Sequence, residues 1–179
     1  GLKPVFADVD PNTFNLDVND VQKKITEKTK LIIPVHLFGQ CADMEKVTHI
    51  AEKYNLKIVE DTAQAVGAVY HYSEGRSVKA GTIGDFGTTS FFPSKNLGCF
   101  GDGGALFTNS DELAARAGMM ANHGQRIKYH HDVIGCNSRL DSIQAAILRI
   151  NLRCLDEFTE KRRRAAAYYH SQLRSVRGI

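Results

Sequence analysis

In the run "TTSFFPSKNLGCFGDGG", Thr88 to Gly104, a single lysine, Lys95, follows two phenylalanines and a proline and precedes a glycine-rich stretch. Desolvation by Phe91, Phe92 and Pro93 would favour the neutral amine, which is the nucleophile that forms Schiff bases. Taken singly, the residue also reads as a surface lysine whose stem lies along apolar groups while its head reaches water. Asp61 poses the same problem with the opposite sign. It directly follows "KIVE", and a carboxylate so near a buried strand is costly unless it meets a cation or several donors. A helix cap or a satisfied turn is the plainer reading. Gln64 lies three residues on and Ser90 closes "TTS". A pyridoxal phosphate site needs a lysine for the aldehyde, an acid to keep the pyridine nitrogen protonated, and hydroxyl or backbone donors for the phosphate. Lys95, Asp61 and Ser90 supply one of each. The glycines of "NLGCFGDGGAL" permit tight turns close to a ligand but match neither G-x-G-x-x-G nor G-x-x-x-x-G-K-[ST], which argues against a Rossmann cofactor or a P-loop. Ser94 beside Lys95 also lacks the S-x-x-K spacing of serine acyl-enzymes.

Ligands of open parallel sheets bind beyond the carboxyl ends of the strands, so these residues need strands that stop where they begin. Short apolar runs alternate with segments of helical period, the pattern of βαβ units and a mostly parallel sheet. Strands are expected at Pro4–Val9, Leu31–Val35, Leu56–Gln64, Phe86–Phe92 and Gly104–Asn109. Helices are expected over Asp17–Lys28, with Asp17 as cap, and over the stretch after Asp43, where Met44, Val47, Ala51 and Tyr54 share a face. Ser73–Gly84 reads as a hairpin or loop. A helix opens at Ser110, Asp111 and Glu112 and ends at Gly124, and a long polar loop, Gln125–Ser138, follows. The final helix carries Leu140, Ile143, Ile147, Ile150 and Cys154 as an apolar stripe that wants a partner surface, and runs on to Ile179. The chain begins at a strand and ends in that helix, so both ends read as cut.

A chain of 179 residues with 42% hydrophobic content supports one sizeable core, hence one domain or most of one. No stretch approaches the roughly 20 apolar residues of a bilayer span, and the N-terminus lacks a secretory layout, so a cytoplasmic protein with no membrane partner is expected. The charge of +3 comes partly from "EKRRRAA", a solvated helix face rather than a nucleic-acid stripe. Cys41, Cys99, Cys136 and Cys154 are scattered, which fits reduced thiols and argues against zinc. "YHHD", Tyr129 to Asp132, is read as a loop without a metal.

At these residues the sequence resembles the DegT/StrS family of sugar aminotransferases. The pieces that carry the resemblance are "VHLFGQ", "EDTAQAVGA", "TTSFFPSKNLGCFGDGGAL", "NHGQ" and "GCNSRLDSIQAAIL", in family order. The resemblance implies an α/β fold of the pyridoxal-phosphate-dependent transferase type I, aspartate aminotransferase-like, with residues 1–152 as the core of the large domain and 153–179 as a helix leading to a small domain. It makes Lys95 the Schiff-base lysine, Asp61 the partner of the pyridine nitrogen, Gln64 a neighbour of the ring and Ser90 a phosphate ligand. Asn137 matches an asparagine that reaches the phosphate in the other subunit's site, and His123 and Arg139 match positions that meet the nucleotide-sugar across the same interface; a homodimer follows. Glutamate is the implied amino donor. "SFFPSKNLGCFGDGG" with "RIKYHHDVIGCNSRLD" is similar to enzymes that aminate a UDP-linked 3-keto-hexuronic acid for lipopolysaccharide and O-antigen. Family members are about twice as long, so part of the cofactor cradle is expected to lie outside this chain. Two alternatives stand beside this reading. One is a deoxysugar dehydratase of the same family, in which a histidine replaces the lysine; the other is a module that binds a nucleotide-sugar or a partner without turnover.

Overall fold

Side-chain caps and apolar spacing set the helices. The computed structural model describes residues 1–178. Asp17 accepts a hydrogen bond from the Asn19 N–H and opens α1 (Val18–Lys24), which buries Val18 and Val21. This helix stops short of the expected Lys28, because Ile25 turns to extended backbone and Thr26 and Thr29 bond each other in a turn. After β1 (Leu31–Ile32), Asp43 accepts from the Lys46 N–H to open α2 (Met44–Tyr54), and left-handed Asn55 closes it. Met44, Val47, Ile50 and Ala51 face Ile32, Ile58, Val18 and Val21 in the larger of two cores, while Tyr54 stays largely exposed.

Next come β2 (Lys57–Asp61), the hairpin β3 (Val69–His71) and β4 (Ser77–Lys79), β5 (Phe86–Ser90) and β6 (Gly104–Phe107). The central sheet has the order β1, β2, β5, β6; the first three strands run parallel and β6 runs antiparallel to β5. This is the expected α/β architecture, a mostly parallel sheet flanked by helices. The hairpin falls partly in the segment expected to turn.

Other expectations are also corrected, and β2, β5 and β6 end at Asp61, Ser90 and Phe107, short of the expected Gln64, Phe92 and Asn109. Pro4–Val9 forms no strand: Val9 makes one isolated bridge to Leu16, and Val5 and Phe6 are exposed, because an apolar run becomes a strand only where a ladder partner exists. β1 ends at Ile32 rather than Val35, with Val35 making only an isolated bridge to Asp61; Pro34 between them has no N–H to give a ladder. α3 (Asp111–Ala121), capped by Ser110, ends before Gly124, and the polar loop after it contains a small hairpin, β7 (Gln125–Ile127) with β8 (His130–His131). The long final helix is two helices, α4 (Ser142–Asn151) and α5 (Leu155–Leu173), joined by a 3-10 turn at Leu152–Cys154. Leu148 and Leu155, one on each side of that turn, join Leu97 and Cys99 in the second core, with Val66, Phe91 and Leu140 against it. No described helix is long and apolar enough to cross a membrane.

Candidate active site

Parallel pairing brings the carboxyl ends of β2 and β5 together. Asp61, the last residue of β2, stands in register with Thr88, and Ser90 ends β5 two residues later. Asp61 is half-buried, and its Oδ1 accepts from the Ala63 N–H at 2.9 Å, the turn-type bond that lets a carboxylate sit at a strand end. Ser90 Oγ accepts from the Phe92 N–H at 3.2 Å, which leaves its own hydroxyl proton free to donate. Gln64 Oε1 accepts from the Phe38 N–H at 3.1 Å.

Lys95 sits on a turn in which its N–H donates to the Phe92 carbonyl at 2.9 Å. The turn closes tightly: a side chain at Gly98 would place its Cβ 2.6 Å from the Pro93 oxygen, so only glycine fits. The Cys99 backbone and thiol both donate to Phe91 O, and the loop is sewn to α4 by Phe100 N–H to Gln144 Oε1 and Asn151 Nδ2 to Gly98 O, each at 2.8 Å. One expectation fails here. Phe92 is 50% exposed, Pro93 is exposed and Phe91 packs into the second core, so these residues build no apolar wall around the amine within this chain.

His123, Asn137 and Arg139 form a separate, exposed group. His123 has a left-handed backbone (φ 57°), donates its N–H to Cys136 O and accepts from His131 Nδ1 at 2.8 Å. Asn137 bridges to Asn122, and its Oδ1 accepts from Arg139 Nε at 2.8 Å. Arg139 lines an open groove over Thr88, Thr89 and Gly104. Among the described residues, no hydrogen bond or ion pair joins this group to Asp61, Gln64, Ser90 or Lys95, and no cluster of three or more His, Cys, Asp or Glu side chains is placed to hold a metal.

Two residues next to the site lie within "VHLFGQ" and "EDTAQAVGA" but were given no role by the sequence. His36 and Glu60 are wholly buried, with His36 Nε2 at 2.9 Å from Glu60 Oε2. Burial pushes the Glu60 carboxyl up, but the bond to His36 and the N–H groups of Gly84, Gly81 and Ile83 outweigh it and hold the carboxyl below its usual range. The signal was present in "KIVED": alternation places Glu60 on the same face as buried Ile58.

As a donor set, the strand-end group fits pyridoxal phosphate. Among the described residues, one Asp61 oxygen has no partner and Lys95 has no carboxylate within ion-pair reach, and the Ser90 hydroxyl can donate, all on or just beyond the carboxyl ends of β2 and β5. The fold and this group define a class, the aspartate aminotransferase-like α/β proteins with a lysine and an acid at the strand ends. Residues 1–179 match the model of the DegT/DnrJ/EryC1/StrS aminotransferase family, and the chain belongs to it. Enzymes of this family depend on pyridoxal phosphate.

A relative from Geobacillus stearothermophilus named pleiotropic regulatory protein is 52% identical over 99% of this chain and 46% of its own length. The UDP-2-acetamido-2-deoxy-3-oxo-D-glucuronate aminotransferase of Pseudomonas aeruginosa is 49% identical over 98% of this chain and 48% of its own. Other relatives are named as dTDP-sugar transaminases and a GDP-perosamine synthase. Among solved structures, S. venezuelae DesV superposes with a TM-score of 0.89 at 46% identity, covering 98% of this chain and 46% of that one. NtdA from Bacillus subtilis, with bound cofactor PMP, gives 0.84 at 34% identity over 97% and 38%. The chain spans about half the length of the curated relatives it matches.

Proposed function

We propose that this chain is the lysine-bearing part of a nucleotide-sugar aminotransferase, with residues 1–152 forming the core of its large domain and 153–179 leading toward a smaller one. The observation that carries the reading is the placement of Asp61 at the carboxyl end of β2 and of Lys95 on the turn that follows β5, its parallel neighbour, each without an ion-pair partner among the described residues. When bound, pyridoxal phosphate supplies an electron sink that makes the Cα proton of an amino acid removable. Lys95 Nζ would hold the cofactor and, once displaced by the donor amino acid, would be the base placed to take and return that proton. The free oxygen of Asp61 holds the ring nitrogen in its protonated form, while the Ala63 N–H keeps the carboxylate from turning away. Ser90 Oγ donates to the phosphate, and Gln64, tethered to Phe38, lies beside the ring. Lys95 disfavours the dehydratase alternative, where a histidine stands in its place.

His123, Asn137 and Arg139 face solvent and act on the neighbouring subunit's site in a homodimer. There Asn137 meets the cofactor phosphate, and His123 and Arg139 meet the nucleotide-sugar; the planar fork of Arg139 suits its diphosphate. The 49% identity to the Pseudomonas aeruginosa enzyme supports a UDP-linked 3-oxo sugar as acceptor; glutamate as donor and a role in lipopolysaccharide and O-antigen assembly in the cytoplasm complete the proposal on family resemblance alone. The dTDP and GDP names among relatives make a nucleotide-linked keto sugar the common ground. The test is an ultraviolet-visible spectrum of full-length protein with pyridoxal phosphate. A visible band that falls on adding glutamate and recovers with the UDP-keto sugar supports the reading. A protein with no such band would sink it.

A further inference from the structure

His36 and Glu60 have no role in the chemistry proposed above, yet every polar atom of both side chains is engaged. His36 Nδ1 accepts from the Ala42 N–H at 3.0 Å, so the ring proton lies on Nε2 and is donated to Glu60 Oε2. Glu60 Oε2 also accepts from Gly81 N–H at 2.8 Å, and Oε1 accepts from Ile83 and Gly84 N–H at 2.7 Å each. One carboxylate thus gathers the loop between β4 and β5, and one imidazole closes the turn between β1 and α2. Gly81 has φ +85°, and a Cβ there would lie 3.0 Å from Thr62, so its N–H reaches Glu60 only because the residue is glycine.

These bonds bear on the two neighbouring site residues. Side chains alternate along a strand, so Glu60 held on the inner face commits Asp61 to the other. The Asp61 peptide is itself clamped, with its N–H on Pro34 O at 2.9 Å and its carbonyl accepting from His36 N–H at 3.0 Å. The turn closed by His36 contains Phe38, whose left-handed backbone (φ 56°) offers the N–H that holds Gln64. Such a conformation persists only where its surroundings hold it. Hydrogen bonds fix direction where apolar packing fixes mainly volume.

We propose that His36 and Glu60 are positioning residues for this site: their buried bond network sets the directions in which Asp61 and Gln64 present their side chains to the cofactor. The inference rests on the aminotransferase reading, so the full-length parent loaded with pyridoxal phosphate is measured first. A parent without visible absorbance overturns that reading and this inference with it. With absorbance present, Glu60→Gln and His36→Gln are compared with Val47→Ala, a core truncation in α2, at a temperature where each is folded by far-ultraviolet circular dichroism. In the first two, the visible circular dichroism of the bound cofactor, which reports its orientation, falls at least about twofold. Their kcat falls at least about tenfold, while KM for glutamate changes less than about threefold; Val47→Ala keeps all three near the parent values. If Glu60→Gln does not fold, His36→Gln decides, since it retains a donor toward Glu60. Variants that match Val47→Ala, or failure of both to fold, would assign the pair to folding alone and overturn the proposal.

Discussion

Asp61→Asn separates charge from shape at the centre of the proposed site. The amide oxygen of Asn accepts the Ala63 N–H as the carboxylate Oδ1 does, so the turn after β2 keeps its bond and loses only the charge-assisted part of it, about 1 kcal/mol. That corresponds to a fall in Tm of no more than about 4 °C for a domain of this size. The functional cost is of a different order. Removing the anion opposite a buried cation costs about 3 to 5 kcal/mol, and at about 1.4 kcal/mol per decade this is roughly two to four orders of magnitude in kcat. The assay pairs thermal unfolding of full-length protein with turnover of glutamate and keto sugar under saturating cofactor. A kcat within about threefold of the parent refutes the role of the charge. Activity lost together with a Tm fall beyond about 10 °C refutes the argument that Asn preserves the turn.

Borohydride reduction of the loaded full-length protein, followed by peptide mass mapping, places the label on Lys95; a label on any other lysine removes it from the mechanism. Because the folded Glu60 carboxyl lies below its unfolded value, its contribution to stability is present above about pH 4.3 and is lost as the pH falls through the folded value. Urea unfolding should show Glu60→Gln less stable than the parent by about 1 to 3 kcal/mol at neutral pH, since the amide nitrogen cannot accept the backbone N–H bonds the carboxylate does, with the gap closing in acid; an equal gap at both ends contradicts the assignment. Mixing full-length Lys95→Ala with the double variant Asn137→Ala and Arg139→Ala should restore part of the activity, because one site of each mixed dimer then has a lysine beside an intact neighbouring loop. Verified subunit exchange without recovery rules out shared sites.

Local signals were enough where they decide structure locally. Asp43 and the apolar steps behind it gave α2 to the residue, and the runs from Leu56, Phe86 and Gly104 gave three strands, each ending two or three residues before its expected end, at Asp61, Ser90 and Phe107. What failed depends on partners. Pro4–Val9 has the composition of a strand, but composition cannot show whether a ladder partner is present. The break at Leu152–Cys154 lies inside a continuous apolar stripe, and the small β7 and β8 pairing is made of polar residues with no period. At the site, the rule that ligands gather beyond strand ends pointed to Asp61, while Lys95 was marked by the aromatic and glycine residues around it and Ser90 by its hydroxyl. Glu60 was passed over because it sits one residue inside that end, where only alternation marks it. The exposure of Phe92 was hidden for a related reason: adjacent aromatics on a turn point in different directions, and only Phe91 reached a core.

The 3-10 turn between α4 and α5 gives the second of these helices the mechanics of a lever. Leu155 fixes its root in the second core, and from Glu160 onward every described residue is exposed. Nineteen residues make an arm of about 28 Å, so a pivot of about 10° at Leu152–Cys154 sweeps its far end through about 5 Å. Leu148 and Leu155 share their cluster with Leu97, two residues from Lys95, so the fulcrum and the lysine turn rest on the same packed side chains. A displacement of α5 at its root would therefore have to repack side chains that also seat the lysine turn.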